Sequence, residues 1–215
     1  MCFYKVGLQL FVGPGMRFVE ELIGAGKKVF LDLKIDDTPR TVAAAVRRAA
    51  IDGVEFFTLQ GNRDTAIAAI DGRGSRTTPR FLQITFLSSW DTEDLKAYVG
   101  LPESIDITID QAVLNRTRTI VASGCDGVIA SGSSVGEIRQ RFGAELLIVT
   151  PGIRPGGAAT DDHKRSLTPR EAILAGSDYL VVGRPIRNAA DPPQTARAII
   201  ADIDAALRDA PGQSV

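Results

Sequence analysis

The chain reads Val29-Phe30-Leu31-Asp32-Leu33-Lys34-Ile35-Asp36-Asp37-Thr38-Pro39-Arg40 where an apolar strand is predicted to give way to a helix. Side chains of a strand alternate between its two faces, so Asp32 and Lys34 are predicted to point one way and the intervening apolar residues the other. Thr38 followed by Pro39 is typical of a helix start, which leaves Asp36 and Asp37 in the connecting turn. Parallel α/β folds carry their chemistry at such turns, and the stretch therefore predicts an active site.

Asp32 and Lys34 also have a purely structural interpretation, as an ion pair. A buried ion pair adds little net stability compared with apolar side chains in the same place, so stability alone explains these residues poorly. A carboxylate, an ammonium and a further carboxylate in a row form a preorganised field that repels a substrate anion and stabilises a carbanion. The pattern therefore favours a catalytic role.

Composition excludes several classes of protein. The chain has 215 residues, 44% of them hydrophobic, and 25 basic against 26 acidic residues, so no overall charge would recruit nucleic acid or an anionic membrane. Cys2 and Cys125 have no metal-ligand spacing and suggest neither a disulfide framework nor a zinc site. No apolar run approaches the roughly 20 residues needed to span a bilayer, and the first residues do not resemble a signal peptide. We expect a cytoplasmic protein without a metal.

Short apolar segments alternate with helical ones along the whole chain. Such alternation indicates a parallel sheet covered by helices, closed as a (β/α)8 TIM barrel in one domain over residues 1–215. Seven βα units are predicted where eight are needed, and we expect the missing or truncated unit to be the first. The predicted strands are Cys2–Leu8, Lys27–Ile35, Val54–Gln60, Arg80–Leu87, Asp126–Ala130, Glu145–Thr150 and Ser177–Val182; the predicted helices are Gly13–Ala25, Thr38–Ile51, Asp64–Ile70, a short one after Trp90, Ile107–Ser123, Ser134–Phe142, one from Pro169, and Pro192–Leu207.

A second group of motifs follows the last two predicted strands. The segments are Thr150–Gly157 and Gly183–Ile186, and barrels commonly bind phosphate in the loops at these positions. Arg184 suits bidentate phosphate binding. The alternative is that Gly183 only ends a strand and that the Arg184 side chain is solvated. The long loop 151–167 is typical of a functional lid. It carries the only histidine, His163, which is either a surface residue or a phosphate contact, and no Ser-His-Asp triad is indicated.

Ser88 and Ser89 follow the fourth predicted strand. Serine hydroxyls at the carboxyl end of a strand suit hydrogen bonds to a ligand. Serine is also a favoured capping residue, so the same pair is equally compatible with capping the next helix. The sequence leaves both interpretations open.

Four segments resemble, in order, the motifs of the orotidine 5′-monophosphate decarboxylase family. They are Phe3–Gly7, Phe30–Lys34 with Asp37 and Pro39–Thr41, Thr150–Pro155, and Val182–Ile186. The aspartate, lysine and aspartate on one strand are shared with related sugar-phosphate enzymes, whereas the Thr-Pro-Gly-Ile-Arg-Pro stretch is more particular to the orotidine enzymes. The resemblance extends over nearly the whole chain.

The resemblance implies decarboxylation of orotidine 5′-monophosphate to uridine 5′-monophosphate in de novo pyrimidine biosynthesis, with no metal or organic cofactor. It implies that Asp32 lies against the substrate carboxylate and that Lys34 stabilises and protonates the carbanion at C6. Lys5 would complete the charged array and reach the ribose. Asp37 would act in the partner's site of a homodimer, with Thr41 near it. The implied substrate-binding residues, which include a pyrimidine contact and the phosphate grip, are Ser89, Thr41, Pro151, Arg154, His163, Gly183 and Arg184.

The chain departs from the family pattern at several positions. It begins after an aspartate that the family carries on its first strand, as the partner of the lysine corresponding to Lys5. His163 stands where the family has a lid glutamine, and Gln60 and Asp36 replace histidines. Two alternatives stay open: a nucleotide- or phosphate-binding barrel with impaired catalysis, and a metal-dependent decarboxylase or aldolase acting on sugar phosphates.

Overall fold

The structure, a computed structural model, describes residues 3–156 and 166–209, in which short strands alternate with helices. The strands are β1 (Phe3–Gly7), β2 (Lys28–Ile35), β3 (Val54–Leu59), β4 (Arg80–Ile84), β5 (Gly127–Ile129), β6 (Leu147–Thr150) and β7 (Tyr179–Leu180). The helices are α1 (Leu8–Phe11), α2 (Met16–Gly24), α3 (Pro39–Ala49), α4 (Arg63–Arg73), α5 (Thr92–Val99), α6 (Ile109–Ala122), α7 (Ser134–Phe142), α8 (Pro169–Leu174), α9 (Arg184–Arg187) and α10 (Pro192–Asp209).

The strands of the described residues form one sheet in chain order, from β1 to β7. The pairs β1–β2, β2–β3, β3–β4 and β6–β7 are all parallel. Helices connect successive strands, as parallel pairing requires. The predicted parallel α/β architecture is confirmed.

Several predicted boundaries are wrong. The strand predicted to reach Leu87 ends at Ile84, and the strand predicted over Ser177–Val182 contains only two residues. The helix expected from Gly13 begins at Met16, because Gly15 has a φ of 64° that no helix accommodates. The four-residue helices α1 and α9 escaped prediction, since a single turn is too short to show helical periodicity.

The chain divides into two compact units. The first comprises Met1–Ile84 and Arg118–Val128, and the second comprises Thr85–Thr117 and Ile129–Val215. Fully buried phenylalanines dominate the core of the first unit, and Phe57 meets Phe81 edge to face with ring centroids 6.3 Å apart. Fully buried Ile138, Ile148 and Ile153 belong to the core of the second unit. The single domain expected from the sequence stays a prediction.

The sequence Gly-x-acid recurs at the amino ends of three strands. It occurs as Gly53-Val54-Glu55, Gly124-Cys125-Asp126 and Gly176-Ser177-Asp178, and each glycine has a positive φ, of 96°, 81° and 103°. Only glycine adopts this conformation without strain, which explains its recurrence. The repeat is hard to recognise in the sequence, because its only common residues are one glycine and one acid.

The acid of this repeat fastens a neighbouring strand in both units. In the second unit the Asp178 carboxylate accepts the Ile148 N–H at 2.7 Å and pairs with the Arg139 guanidinium at 2.7 Å. The first unit repeats the arrangement, since Asp126 accepts a backbone N–H from β4 at 2.7 Å and pairs with an arginine of α4 at 3.3 Å. These groups lie at the amino ends of the strands, the end that serves stability in βα folds.

Across residues 3–156 and 166–209, no helix has the length and apolar character required to cross a membrane.

Candidate active site

Three charged side chains meet near the carboxyl end of β2. The Lys34 Nζ donates to Asp32 Oδ1 at 2.7 Å, and the Lys5 Nζ, from the neighbouring β1, donates to Asp32 Oδ2 at 2.8 Å. The carboxylate is 13% exposed, whereas the two lysine side chains retain 28% and 34% exposure. One largely shielded anion is thus held between two cations that keep more access to solvent. We call these three residues the charged array.

The charged array keeps Asp32 ionised. Burial acts to raise the pKa of Asp32, but the Lys5 and Lys34 ammonium groups, by charge and by hydrogen bonding, hold the pKa below its ordinary value of 3.8. The carboxylate therefore carries a full negative charge at neutral pH. A second anion placed beside it would meet electrostatic repulsion.

The backbone of β2 leaves the regular pleat at this point. Between Leu31 and Ile35 the register slips, because β2 advances four residues while its partners on β3, Phe57 and Leu59, are two apart. Lys34 has a φ of 52°, the only positive φ of a non-glycine residue in the described chain. A bulge therefore interrupts the regular pleat expected for this stretch, while the predicted approach of Lys34 to Asp32 is observed.

A fourth side chain completes the polar cluster around Asp32. Thr58 of β3 is fully buried; its hydroxyl donates to Asp32 Oδ1 at 3.1 Å and accepts the Lys34 N–H at 2.9 Å. Sequence analysis missed this residue. A signal was available, because Thr58 carries a hydroxyl near the end of a strand that is apolar apart from Glu55 and that runs beside the charged one.

Gly7 gives the Lys5 ammonium its room. Gly7 lies opposite Asp32 in the β1–β2 register, and a Cβ built at Gly7 would lie 3.1 Å from the Lys5 Nζ. That separation is tighter than ordinary van der Waals contact. A side chain at this position would push the ammonium away from the carboxylate.

The turn after β2 has the predicted layout. Asp36 and Asp37 are exposed and connect β2 to α3, which begins at Pro39. Asp37 Oδ1 accepts the Thr38 N–H at 2.6 Å. The Thr38 and Thr41 hydroxyls lie 3.0 Å apart, so Thr38 begins the helix without bonding a backbone N–H of its first turn.

Gln60, one of the positions that depart from the family pattern, ends β3 through backbone contacts. Its N–H donates to the Ile35 carbonyl at 3.0 Å, and its own carbonyl accepts from the Gln83 side chain at 3.1 Å. Gln83 is buried and also donates to the Gly61 carbonyl at 2.6 Å. The backbone between β3 and α4 is thereby tied to both neighbouring strands of the first unit.

Ser89 lies in a turn of the second unit, where the Trp90 N–H donates to the Leu87 carbonyl at 3.0 Å. The following helix, α5, is capped by Asp91, which accepts the Asp94 N–H at 3.0 Å while Asp94 accepts the Asp91 N–H at 3.0 Å. Because this reciprocal box provides the cap, the helix-capping interpretation of Ser88 and Ser89 is wrong. The ligand-binding interpretation of Ser89 stays a prediction.

The segment after β6 is held by its backbone. Gly152 has a φ of 75°, which only glycine adopts freely, and Ile153 forms a parallel bridge with Leu167. The Arg154 N–H donates to the Leu167 carbonyl at 2.9 Å, so the two ends of the predicted lid are joined. Arg154 is buried, with 8% of the residue exposed, and its guanidinium donates to the Ile153 carbonyl at 2.9 Å.

Gly183 and Arg184 begin the short helix α9, which has Pro185 in its first turn. Arg184 is half-buried, and Pro151, after β6, is likewise half-buried. Arg184, Pro151 and Arg154 all belong to the second unit. His163, the remaining predicted contact, lies outside the described residues.

The described residues offer no cluster of three histidine, cysteine or acidic side chains suited to a metal. Cys125 is buried, and burial raises the pKa of its thiol to about 11. A thiol with that pKa is almost fully protonated at neutral pH and is a poor nucleophile. The charged array is therefore the part of the first unit best equipped for chemistry.

The chain matches a sequence model described as the orotidine 5′-phosphate decarboxylase / HUMPS family over residues 1–199. It is 44% identical over 202 residues to the orotidine 5′-phosphate decarboxylase of Afipia carboxidovorans, covering 94% of this chain and 83% of that protein. It is 43% identical over 206 residues to the enzyme of the same name from Nitrobacter winogradskyi, covering 96% and 83%.

Solved structures agree with these relatives. The crystal structure of orotidine 5′-phosphate decarboxylase from Lactobacillus acidophilus superposes with a TM-score of 0.78 at 33% identity, covering 93% of this chain and 86% of that one. The structure of the Pyrococcus horikoshii enzyme gives a TM-score of 0.71 at 25% identity. Sequence and fold therefore agree over nearly the whole chain, and this chain belongs to the orotidine 5′-phosphate decarboxylase / HUMPS family.

Proposed function

We propose that this chain decarboxylates orotidine 5′-phosphate to uridine 5′-phosphate, in the de novo synthesis of pyrimidine nucleotides. The observation that carries the proposal is the charged array, in which one ionised aspartate is held by two lysines at 2.7 and 2.8 Å. Relatives that are 43% and 44% identical over almost the whole chain bear the name of this activity.

The reaction follows from the charges. The substrate carboxylate lies against the Asp32 carboxylate, and the repulsion is relieved as the bond from C6 breaks and carbon dioxide leaves. The electron pair of that bond stays on C6, where the Lys34 ammonium stabilises it and then donates a proton to it. A fixed ammonium stabilises such a developing charge strongly, because the charge appears only in the transition state. Lys5 holds the other Asp32 oxygen and reaches the ribose.

The second unit supplies groups suited to the rest of the nucleotide. Arg154 and Arg184 carry guanidinium groups that can donate to a phosphate. Pro151 and Gly183 lie in the same two segments, after β6 and after β7. We assign the phosphate to these residues with His163, and the pyrimidine to Ser89. Binding energy from a phosphate that does not react is used to order the site around the reacting carbon.

The active form we propose is a cytoplasmic homodimer. Asp37 and Thr41 are exposed in this chain, beside the first turn of α3. Such residues are available to a partner, and we assign them to the partner's site. We further propose that the parallel sheet belongs to a closed (β/α)8 barrel, which has eight βα units.

The direct test is decarboxylation by the purified chain, followed as the loss of the near-ultraviolet absorbance of orotidine 5′-phosphate. We expect turnover that is unchanged by a metal chelator. Absence of turnover at high enzyme concentration, together with tight binding of uridine 5′-phosphate, would instead identify a binding protein.

Loss of turnover on chelation would point to the metal-dependent sugar-phosphate enzymes. Sugar phosphates should be tested as substrates of the same preparation. The description of the matched family names a second group, HUMPS, beside the orotidine 5′-phosphate decarboxylases. Turnover of a sugar phosphate in place of the nucleotide would overturn the proposal.

A further inference from the structure

Thr58 is the one group of the Asp32 cluster that the proposed reaction leaves without a role. It is fully buried, and it contributes a hydroxyl where the rest of β3 from Val54 to Leu59 is apolar apart from Glu55. A hydroxyl buried in a strand is unfavourable unless it is hydrogen-bonded. Both of the bonds that satisfy it go to the charged strand.

The first bond solves a problem created by the bulge in β2. The backbone at Lys34 has left the regular ladder, so its N–H no longer faces a carbonyl of β3 in register. The Thr58 hydroxyl oxygen takes that N–H at 2.9 Å. A left-handed conformation in a non-glycine residue is strained and persists only where the surroundings fix it.

The second bond fixes the carboxylate. A hydroxyl has a single proton, and Thr58 directs its proton at Asp32 Oδ1, the oxygen that also accepts the Lys34 Nζ. One side chain thus binds the backbone of the lysine and the carboxylate that the lysine must face. One donor for Asp32 and a separate acceptor for the Lys34 N–H would not couple these positions in the same way.

We propose that Thr58 is a positioning residue for decarboxylation, which clips the left-handed backbone of Lys34 to the Asp32 carboxylate and so sets where the ammonium stands. The inference rests on the proposed function for its catalytic meaning. Its geometric part, the Lys34 N–H held by a hydroxyl, is independent of that function.

The decisive variants are Thr58→Val, which keeps the shape and removes the hydroxyl, and Thr58→Ser, which keeps the hydroxyl. We expect Thr58→Val to lower kcat by about 10- to 100-fold, because it removes two hydrogen bonds around a charged group, one of them to the charge itself. Binding of uridine 5′-phosphate should change by less than about threefold, and Thr58→Ser should restore most of kcat.

The matched control is Thr117→Val. Thr117 is also fully buried, and its hydroxyl donates at 2.8 Å to the Val113 carbonyl of its own helix, α6. Any general cost of replacing a buried threonine by valine should appear in this variant as a lower melting temperature, with kcat unchanged. An equal fall of kcat in both variants would overturn the positioning role.

Hydrogen exchange at the Lys34 amide, read by NMR, tests the clip without turnover. After correction for global stability, we expect Thr58→Val to exchange this amide at least about tenfold faster than wild type and Thr58→Ser to keep its protection. Unchanged exchange in Thr58→Val, or faster exchange with unchanged kcat, would overturn the proposal. If the wild type does not decarboxylate, the proposed function fails and the exchange result still decides the clip.

Discussion

The two ends of the parallel strands carry carboxylates that look alike and are built differently. At the carboxyl end, Asp32 is held by two lysine side chains and a threonine hydroxyl. At the amino end, Asp178 is held by a guanidinium and by the N–H of Ile148. Both carboxylates are partly shielded from solvent, with 13% of the Asp32 side chain and 29% of the Asp178 side chain exposed.

The difference lies in what the cation does besides pairing. Arg139 also donates to the carbonyls of Gly176, Gly143 and Leu146, at 2.6 to 3.0 Å. Its guanidinium therefore satisfies backbone acceptors as well as the carboxylate. The two lysines of the charged array end in ammonium groups on flexible stems, and Lys34 stands on a strained backbone. A cation that also bonds backbone carbonyls contributes to stability. Lysine ammonium groups that bond only side chains keep N–H donors that a ligand can use.

The largest effect expected from this comparison is that of Lys34→Ala. Removing the ammonium should lower kcat on the order of 1,000-fold or more, because the stabilising charge acts mainly in the transition state. Binding of uridine 5′-phosphate should persist, since other groups hold the nucleotide. Single-turnover kinetics and titration with the product measure the two quantities separately.

The control for this variant is Lys28→Ala, at the other end of the same strand. Lys28 is paired with Glu55 at 3.2 Å and is largely exposed, so its removal should leave kcat unchanged. Turnover retained in Lys34→Ala would remove this lysine from the mechanism. Equal losses in both variants would mean that the two ends of β2 do not differ as the comparison requires.

The next largest effect should follow Asp178→Ala, and it should fall on stability. The change leaves the Ile148 N–H and part of the Arg139 guanidinium without an acceptor, which should cost about 2–4 kcal/mol of unfolding free energy. Activity of the folded fraction should be unchanged. Urea unfolding and kcat measured on one preparation give both numbers, and a kcat loss with unaltered stability would contradict the assignment of this end to folding.

These two ends also show how far the sequence could be followed. The Asp32 and Lys34 part of the charged array was predicted because both residues lie in one strand, which needs no tertiary information. Lys5, on the neighbouring strand, was expected only from the family resemblance. The Asp178 arrangement was not predicted, because its partners on β6 and α7 are brought to it only by the folded sheet. Its one local signal is the repeated Gly-x-acid, too short to recognise without knowing that the glycines share a positive φ.

Within the charged array, the contact between Asp32 and Lys34 was predicted correctly, but the break in the regular pleat of β2 was not. Alternation along β2 was expected to put Asp32 and Lys34 on one face, and they do meet. The strand has a bulge here, and Lys34 adopts a left-handed conformation. The sequence does not predict this conformation, because Lys34 is neither glycine nor asparagine. Thr58 offered only the weak signal of a hydroxyl in a mostly apolar strand, because its bond to the Lys34 N–H depends on the bulge.

Arg184→Ala should have a smaller effect and should sharpen the distinction between reacting charge and binding charge. Losing a guanidinium contact to a phosphate should weaken binding of uridine 5′-phosphate about 10- to 100-fold, while uridine binding stays the same. Arg187→Ala, in the same short helix, is the matched control, because Arg187 is exposed and bonds only loosely to Asn188 at 3.4 Å. Equal weakening for uridine and its phosphate would place Arg184 away from the phosphate.

The smallest effect should be the pH dependence of stability carried by Asp32. Its pKa in the folded protein lies below 3.8, so the folded state favours the carboxylate form that the unfolded chain loses first as the pH falls. Wild type should therefore exceed Asp32→Asn in unfolding free energy, on the order of 1 kcal/mol, above pH 3.8. The difference should shrink as the pH falls through the lower pKa of the folded protein, because protonated aspartate and asparagine are both neutral. Urea unfolding of both proteins from neutral to strongly acidic pH measures the difference. A difference that grows on acidification would mean that burial outweighs the two lysines, and Asp32 would then not be the stably ionised group that the repulsion step requires.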